Sequence, residues 1–299
     1  MRTKTESFKI IILLIVFFLF PQTFKAQISR GFVKEGLKIK SSILKREVRY
    51  TVYLPFDYES SDRYYPAVYL LHGYTDNDMG WIQFGEANMI ADEAIAQREN
   101  PPMIIVMPDA GVSWYINNYN NTLRYEDFFV NEFIPFIEKE FRIRAEKRYR
   151  AVAGLSMGGY GALVYALKHP DMFSSCIAFS AAVFTDPEII DMNNDEWQGM
   201  LGVPFNGELK GNERITKHFI ENDPLYIIKN AKADKLKSVR YYIDCGDDDF
   251  LYKGNSALHV LLRDLNIPHE YRVRDGSHQW SYWRSGLTEG LKFAGISFH

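Results

Sequence analysis

Gly154-Leu155-Ser156-Met157-Gly158-Gly159 marks a change of backbone regime in this chain. Before it, Tyr149-Arg150-Ala151-Val152-Ala153 reads as a short buried strand. After it, Tyr160-Gly161-Ala162-Leu163-Val164-Tyr165-Ala166-Leu167 reads as a helix. The six residues fit G-x-S-x-G, a sharp strand-to-helix turn that holds a serine in a strained conformation. Neighbouring backbone passes so close to such a turn that only glycine fits beside the serine. Ser156 then projects at the carboxyl end of the strand, above a helix N-terminus. The free N–H groups and partial positive charge there suit a developing oxyanion. Taken alone, the run is equally compatible with a glycine-rich turn that packs a helix on a sheet.

A nucleophile at such an elbow needs an acid and then a histidine, in that chain order. Downstream of the elbow, residues 175–179 form an apolar strand-like run, and past the polar segment that follows it residues 239–245 form the next strand, which runs into Gly246-Asp247-Asp248-Asp249. A triad acid belongs on a turn just past a strand. All three aspartates qualify, and periodicity does not choose among them; a solvated acidic turn or a weak cation site are the alternatives. Residues 270–273 form a last strand, followed by Gly276-Ser277-His278-Gln279-Trp280. A histidine on a glycine-bearing loop at this point is placed as a general base. The other histidines end helices, lie on them, open a strand or terminate the chain.

Upstream, residues 47–54 alternate polar and apolar, as a half-exposed antiparallel strand near a sheet edge does. A short lead precedes them. Residues 66–71 are a continuous apolar run, the mark of a strand covered on both faces. They end in His72-Gly73-Tyr74, where Gly73 lets the Tyr74 N–H face a reacting carbonyl; the His72 ring is read as bonding nearby backbone. Residues 103–108 are another buried strand, followed by a loop with Trp114, Tyr115 and Tyr119. Residues 126–141 form an amphipathic helix that Pro135 should kink. Residues 184–222, polar and broken by Gly and Pro, read as a cap with Trp197 and Phe205 over the site. Asp223 and Pro224 open a helix as N-cap and first residue.

Composition bounds the possibilities. The chain has 299 residues, 46% of them hydrophobic. Arg2, Lys4 and Lys9 precede an apolar run from Ile10 to Phe20, about half of what a bilayer crossing needs. Pro21 breaks the run and Ala26 offers a cleavage point, so residues 1–26 read as a signal peptide and the protein as secreted or periplasmic. Those residues carry four basic groups and one acidic group, so their removal takes the formal charge from −3 to −6. A mildly acidic chain argues against nucleic acid and anionic membrane surfaces as partners. The remaining residues 27–299 suit one α/β domain. Cys176 and Cys245 are too few for a disulfide framework and read as buried free thiols; a bridge between neighbouring strands is the alternative. No zinc spacing, Walker A motif or Rossmann fingerprint occurs, so no metal or cofactor is expected.

Leu71-His72-Gly73, Ser113-Trp114-Tyr115, the run from Gly154 to Gly159, Asn222-Asp223-Pro224, Cys245-Gly246 with Asp249, and Gly276-Ser277-His278 with Trp280 or Trp283 together resemble the esterase D-like α/β-hydrolases. That family includes carbohydrate esterase family 1 feruloyl and acetylxylan esterases, tributyrin esterases and S-formylglutathione hydrolases. The resemblance runs from about residue 47 to 291. It implies an α/β-hydrolase fold: a mostly parallel eight-stranded sheet, helices on both faces and a small cap insertion at about residues 184–222. It places the nucleophile at Ser156, the base at His278 and the acid three residues after the glycine, at Asp249, with Asp248 as the fallback. It assigns the oxyanion donors to the backbone N–H groups of Tyr74 and Met157. The implied activity is hydrolysis of acyl or feruloyl esters of carbohydrate, with Trp114, Trp280 and Trp283 as candidate substrate-stacking rings. An acyltransferase with the same triad, an S-formylglutathione hydrolase-like thioesterase and a non-catalytic carbohydrate-binding protein are the rival readings.

Overall fold

The computed structural model describes residues 29–298. The expected signal peptide at residues 1–26 lies outside them. Among the described residues, no helix is long and apolar enough to cross a membrane.

Eight strands form one sheet: β1 (Phe32–Ser41), β2 (Arg46–Leu54), β3 (Ala67–Leu71), β4 (Ile104–Pro108), β5 (Arg150–Leu155), β6 (Ser175–Phe179), β7 (Arg240–Gly246) and β8 (His269–Arg274). Their spatial order is β1-β2-β4-β3-β5-β6-β7-β8. From β4 to β8 every pairing is parallel, whereas β2 runs antiparallel to both β1 and β4. The α/β-hydrolase expectation of a mostly parallel eight-stranded sheet describes this arrangement. β3 to β6 are buried along their whole length, which is why they read as unbroken apolar runs.

The strand that periodicity misses is β1, treated above as a lead. Its sequence FVKEGLKIKS is mostly exposed and is interrupted by a register shift between Lys34 and Leu37. A bulge there puts two residues opposite one and breaks the alternation that signals a strand.

Helices cover both faces. The elbow helix (Met157–Lys168) and the helix Tyr252–Asp264 pack on one side, with the aromatic stripe of residues 125–141. The helix Ala87–Ala96 and the C-terminal helix (Trp280–Ser297) pack on the other. The expected kink at Pro135 takes a different form. Residues Phe129–Phe133 widen into a π turn just before the proline. Proline lacks an N–H and its ring clashes with the carbonyl four residues earlier, and a wider turn relieves both.

Cys176 and Cys245 are free and buried. In the β6–β7 register Cys176 faces Tyr241, four residues before Cys245. That offset is about 13 Å along the strands, beyond disulfide reach.

Candidate active site

The carboxyl ends of β3, β5, β6, β7 and β8 converge on Ser156. Its backbone has φ 53° and ψ −118°, a left-handed-side conformation that a serine holds only under constraint. The constraint is visible. The Ser156 N–H donates to the Phe179 carbonyl at 2.9 Å, and its carbonyl accepts from Ala182 and Tyr160, both at 3.0 Å. A Cβ on Gly158 would stand 2.6 Å from the His72 carbonyl oxygen, and one on Gly154 would overlap the Gly158 backbone. The two glycines let β3, the elbow and the helix approach main chain to main chain.

His278 Nε2 lies 2.9 Å from Ser156 Oγ. Its Nδ1 lies 2.9 Å from Asp249 Oδ2 and 3.1 Å from Oδ1. Of the three consecutive aspartates only Asp249 is buried, at 1% exposure; Asp247 and Asp248 are exposed. Burial alone would raise the Asp249 pKa. Hydrogen bonds from His278, the Leu251 N–H and the Ser180 hydroxyl outweigh it and hold the carboxyl below its ordinary value. Asp249 is thus kept ionised beside the imidazole.

The outward aspartates still have structural contacts. The Gly276 N–H donates to Asp247 Oδ1 at 3.0 Å, and the Asp248 N–H donates to the Gly276 carbonyl at 3.1 Å. These bonds hold the acid turn against the loop carrying His278. Beneath them, the fully buried Asp244 carboxylate pairs with Arg274 at 3.0 Å and accepts from the Tyr282 hydroxyl. Asp247, Asp248 and Asp275 also cluster at a spacing that a metal ion could span, but all three are exposed.

Gly73 follows β3 and passes beside the elbow: a Cβ there would be 3.7 Å from Ser156 Cβ. The Tyr74 peptide therefore borders the nucleophile. Met157 opens the elbow helix, where an N–H has no intrahelical acceptor. His72 bonds backbone through both ring nitrogens, as its reading from sequence has it.

A cleft of about 690 Å³ opens over Ser156 and His278. Trp280 and Trp283 line it, with Phe84, Phe250, Met200 and Asp76. Trp283 is mostly buried; its indole N–H donates to the Ser180 hydroxyl at 3.0 Å and its ring meets His278 edge-on at 4.8 Å. Trp114 does not line the cleft and corrects the expectation. It is 1% exposed, packs edge-on against Tyr160 at 5.3 Å, and donates its N–H to the Met200 carbonyl at 2.9 Å. Its ring is core, and it meets the site from behind, by tethering Met200 and by packing on the Tyr74 ring at 6.3 Å.

Trp197 and Phe205 are likewise buried, stacked on each other at 6.3 Å, with the Arg214 guanidinium over Trp197. They belong to the main hydrophobic core on the elbow-helix side of the sheet and do not line the cleft. Sequence reading missed Ser180, Phe84, Phe250, Asp76 and Met200. Phe250 directly follows Asp249 in the chain, which is the one signal that could have found it. Ser180 left no local signature beyond directly following β6.

A family model described as "Putative esterase" matches residues 41–294. Over 228 residues the chain is 28% identical to an acetyl esterase of Caldicellulosiruptor saccharolyticus, covering 76% of this chain and 82% of that protein. Over 251 residues it is 42% identical to an esterase of Mycobacterium tuberculosis, covering 76% of this chain but only about half, 51%, of that protein. Among solved structures, a ferulic acid esterase superposes with a TM-score of 0.78 at 33% identity, covering 90% of this chain and 99% of that one.

Proposed function

The chain belongs to this esterase family and is a serine esterase, and we propose that Ser156, His278 and Asp249 carry out its acyl transfer. The observation that carries the proposal is the pair of 2.9 Å contacts that link Ser156 Oγ to His278 and His278 to Asp249. His278 Nε2 takes the hydroxyl proton as Oγ attacks the ester carbonyl. The negative charge that develops on the carbonyl oxygen is met by the N–H groups of Tyr74 and Met157. His278 then protonates the leaving alcohol. Water attacks the acyl-enzyme by the same route in reverse order. Asp249 holds the ring with its proton on Nδ1 and stabilises the imidazolium. None of these steps calls on a metal or cofactor.

The substrate reading is an acyl or feruloyl ester of carbohydrate. The similarity to an acetyl esterase and a ferulic acid esterase supports it. The cleft supports it too, since Phe84, Phe250 and Trp280 present ring surface to a bound phenolic group or to the C–H face of a sugar. Export through the segment 1–26 belongs to the same proposal, as does a capping role for residues 184–222. It places the enzyme where polysaccharide esters are met and S-formylglutathione, a cytosolic metabolite, is not.

The test compares kcat/KM for a feruloylated arabinoside, an acetylated xylo-oligosaccharide and S-formylglutathione. Hydrolysis of either carbohydrate ester ahead of the thioester is the expected result. A thioester preference of orders of magnitude would remove the carbohydrate reading and leave the esterase chemistry intact.

A further inference from the structure

We infer that His72 is a positioning residue of the oxyanion hole: its ring holds the Gly73–Tyr74 peptide in the orientation that aims the Tyr74 N–H at the reacting carbonyl. The inference rests on the proposed roles of Ser156 and of the Tyr74 N–H. His72 follows β3 directly and is 1% exposed.

Both ring nitrogens are engaged. The Ala110 N–H donates to Nε2 at 2.9 Å. A nitrogen that accepts a hydrogen bond does not carry the proton, so the neutral ring bears it on Nδ1. Nδ1 then donates to the Gly73 carbonyl at 2.7 Å. A fixed backbone donor thus dictates the tautomer.

Planarity transmits the effect. In a trans peptide the C=O and N–H of one unit point in opposite directions, and no cis bond occurs among the described residues. Drawing the Gly73 carbonyl toward the imidazole turns the Tyr74 N–H away from it. The Asp76 N–H, 3.3 Å from the same carbonyl, reinforces that direction. Gly73 packs against Leu155 and Ser156, so the freed N–H is next to the nucleophile. The His72 carbonyl is pinned in turn by the Tyr115 hydroxyl at 2.9 Å.

The surroundings favour the neutral ring. Burial pushes the His72 pKa below its ordinary value, opposed by the bond to the Gly73 carbonyl and by Asp109, Asp76 and Asp78. Asp109 Oδ1 is 3.9 Å from Nε2, and Arg49 lies between Asp109 and Asp78. The Tyr115 ring packs edge-on at 5.8 Å. A proton on Nε2 would oppose donor to donor at Ala110.

Two variants separate positioning from core packing. In His72→Asn a side-chain amide nitrogen replaces Nδ1 and keeps the donor to Gly73. In His72→Gln the longer side chain reaches the Nε2 position and keeps only the acceptor for Ala110. Loss of one oxyanion donor costs about 10²–10³ in kcat, so a donor left in place but loosened by His72→Gln should cost about 10–100-fold with KM within about twofold. His72→Asn should stay within about fivefold of wild type. A trifluoromethyl ketone, whose adduct on Ser156 carries an oxyanion, should lose affinity in His72→Gln by the same factor as kcat/KM. Nitrogen-15 NMR of the wild-type imidazole should report the Nδ1–H tautomer. An Nε2–H tautomer, equal kcat losses in the two variants, or unchanged ketone affinity in a slowed His72→Gln would each overturn the inference. Full activity in Ser156→Ala would instead overturn the reading on which it rests.

Discussion

Two regions meet over Ser156, and different physics builds each. The floor is main chain against main chain. It comprises the end of β3, the elbow and the acid turn, where a Cβ on Gly246 would come within 2.7 Å of the Gly276 carbonyl carbon. The walls are side chains: Phe84, Phe250, Trp280 and Met200 around an open cleft. In the floor one methyl group collides with backbone that cannot yield, so the residue types are dictated. In the walls many rings could occupy the same space. On the proposed mechanism, the chemistry that needs atoms placed within a few tenths of an ångström falls to the floor and selectivity to the walls.

The largest effect expected from this division is on the floor. Ser156→Ala should lower kcat by about 10⁴-fold to 10⁶-fold while leaving thermal unfolding unchanged, because the hydroxyl is not a packing group. Residual turnover within a factor of ten of wild type would put the nucleophile elsewhere.

Next comes the acid turn, where one residue of register separates opposite fates. Asp249→Asn should cost about 10⁴-fold in kcat by presenting the imidazole with a donor. Asp247→Asn and Asp248→Asn, both exposed, should stay within about fivefold, since their main-chain bonds are unaffected by the amide or only weakened. If Asp248→Asn alone abolished activity, the turn would be arranged differently from its burial pattern.

The walls give a smaller and more selective effect. Trp280→Ala should raise KM for a feruloyl ester about tenfold relative to an acetyl ester, the equivalent of one lost ring stacking contact, with stability within about 1 kcal/mol of wild type. Trp114→Ala should do the reverse: about 3–5 kcal/mol of stability lost in urea titration and no change in the ratio of the two substrates. A substrate shift in Trp114→Ala larger than that in Trp280→Ala would break the assignment of one ring to core and the other to cleft.

The smallest effect is remote from both. Asp223 caps the helix Pro224–Asn230 and accepts from the Tyr226 N–H at 3.1 Å. Burial, with the charge of Asp186 adding to it, pushes its pKa up to about 7 against the opposing backbone bonds. In the unfolded chain the same carboxyl ionises near 4. Between those values the folded protein keeps a proton that the unfolded chain releases, so this contribution to stability is present at pH 4 and falls as pH rises to about 7. Asp223→Asn keeps the capping acceptor and should raise Tm at pH 8 by about 2–4 °C, with no gain at pH 4. Equal gains at both pH values would show that titration is not the cause.

How much of this was legible follows the same division. Ser156 and His278 could be named because glycines at set offsets mark a backbone path, and a path is a local property. The buried strands β3 to β6 were legible because covering both faces leaves an apolar run. β1 was not, because an exposed edge strand with a bulge has no burial to impose a pattern. The choice of Asp249 came from resemblance; physically, it depends on which carboxylate the turn directs inward, and three identical side chains in a row carry no such information. Trp114 and Trp280 show the limit most plainly. Each is an aromatic ring a few residues past a strand end, Trp114 in a loop and Trp280 at the first position of the C-terminal helix. One packs behind the site on Tyr160 and the other stands in the cleft against Trp81 and Phe84.

The amino-acid sequence by itself determined the elbow, the order of the buried strands along the chain and the identity of the nucleophile and base candidates. It could do so because glycine spacing and hydrophobic continuity are enforced residue by residue, whatever the rest of the chain does. Only the tertiary structure decided which aspartate faces His278, which rings line the cleft, that Ser180 joins Trp283 to Asp249, and that His72 bonds the Gly73 carbonyl. They depend on segments far apart in the chain, such as Ser180 and Trp283, 103 residues apart, and Phe84 and Trp280, while the His72 ring is held by Ala110, 38 residues on. Their geometry is set by the twist and register of the sheet between them, and no single segment encodes that register.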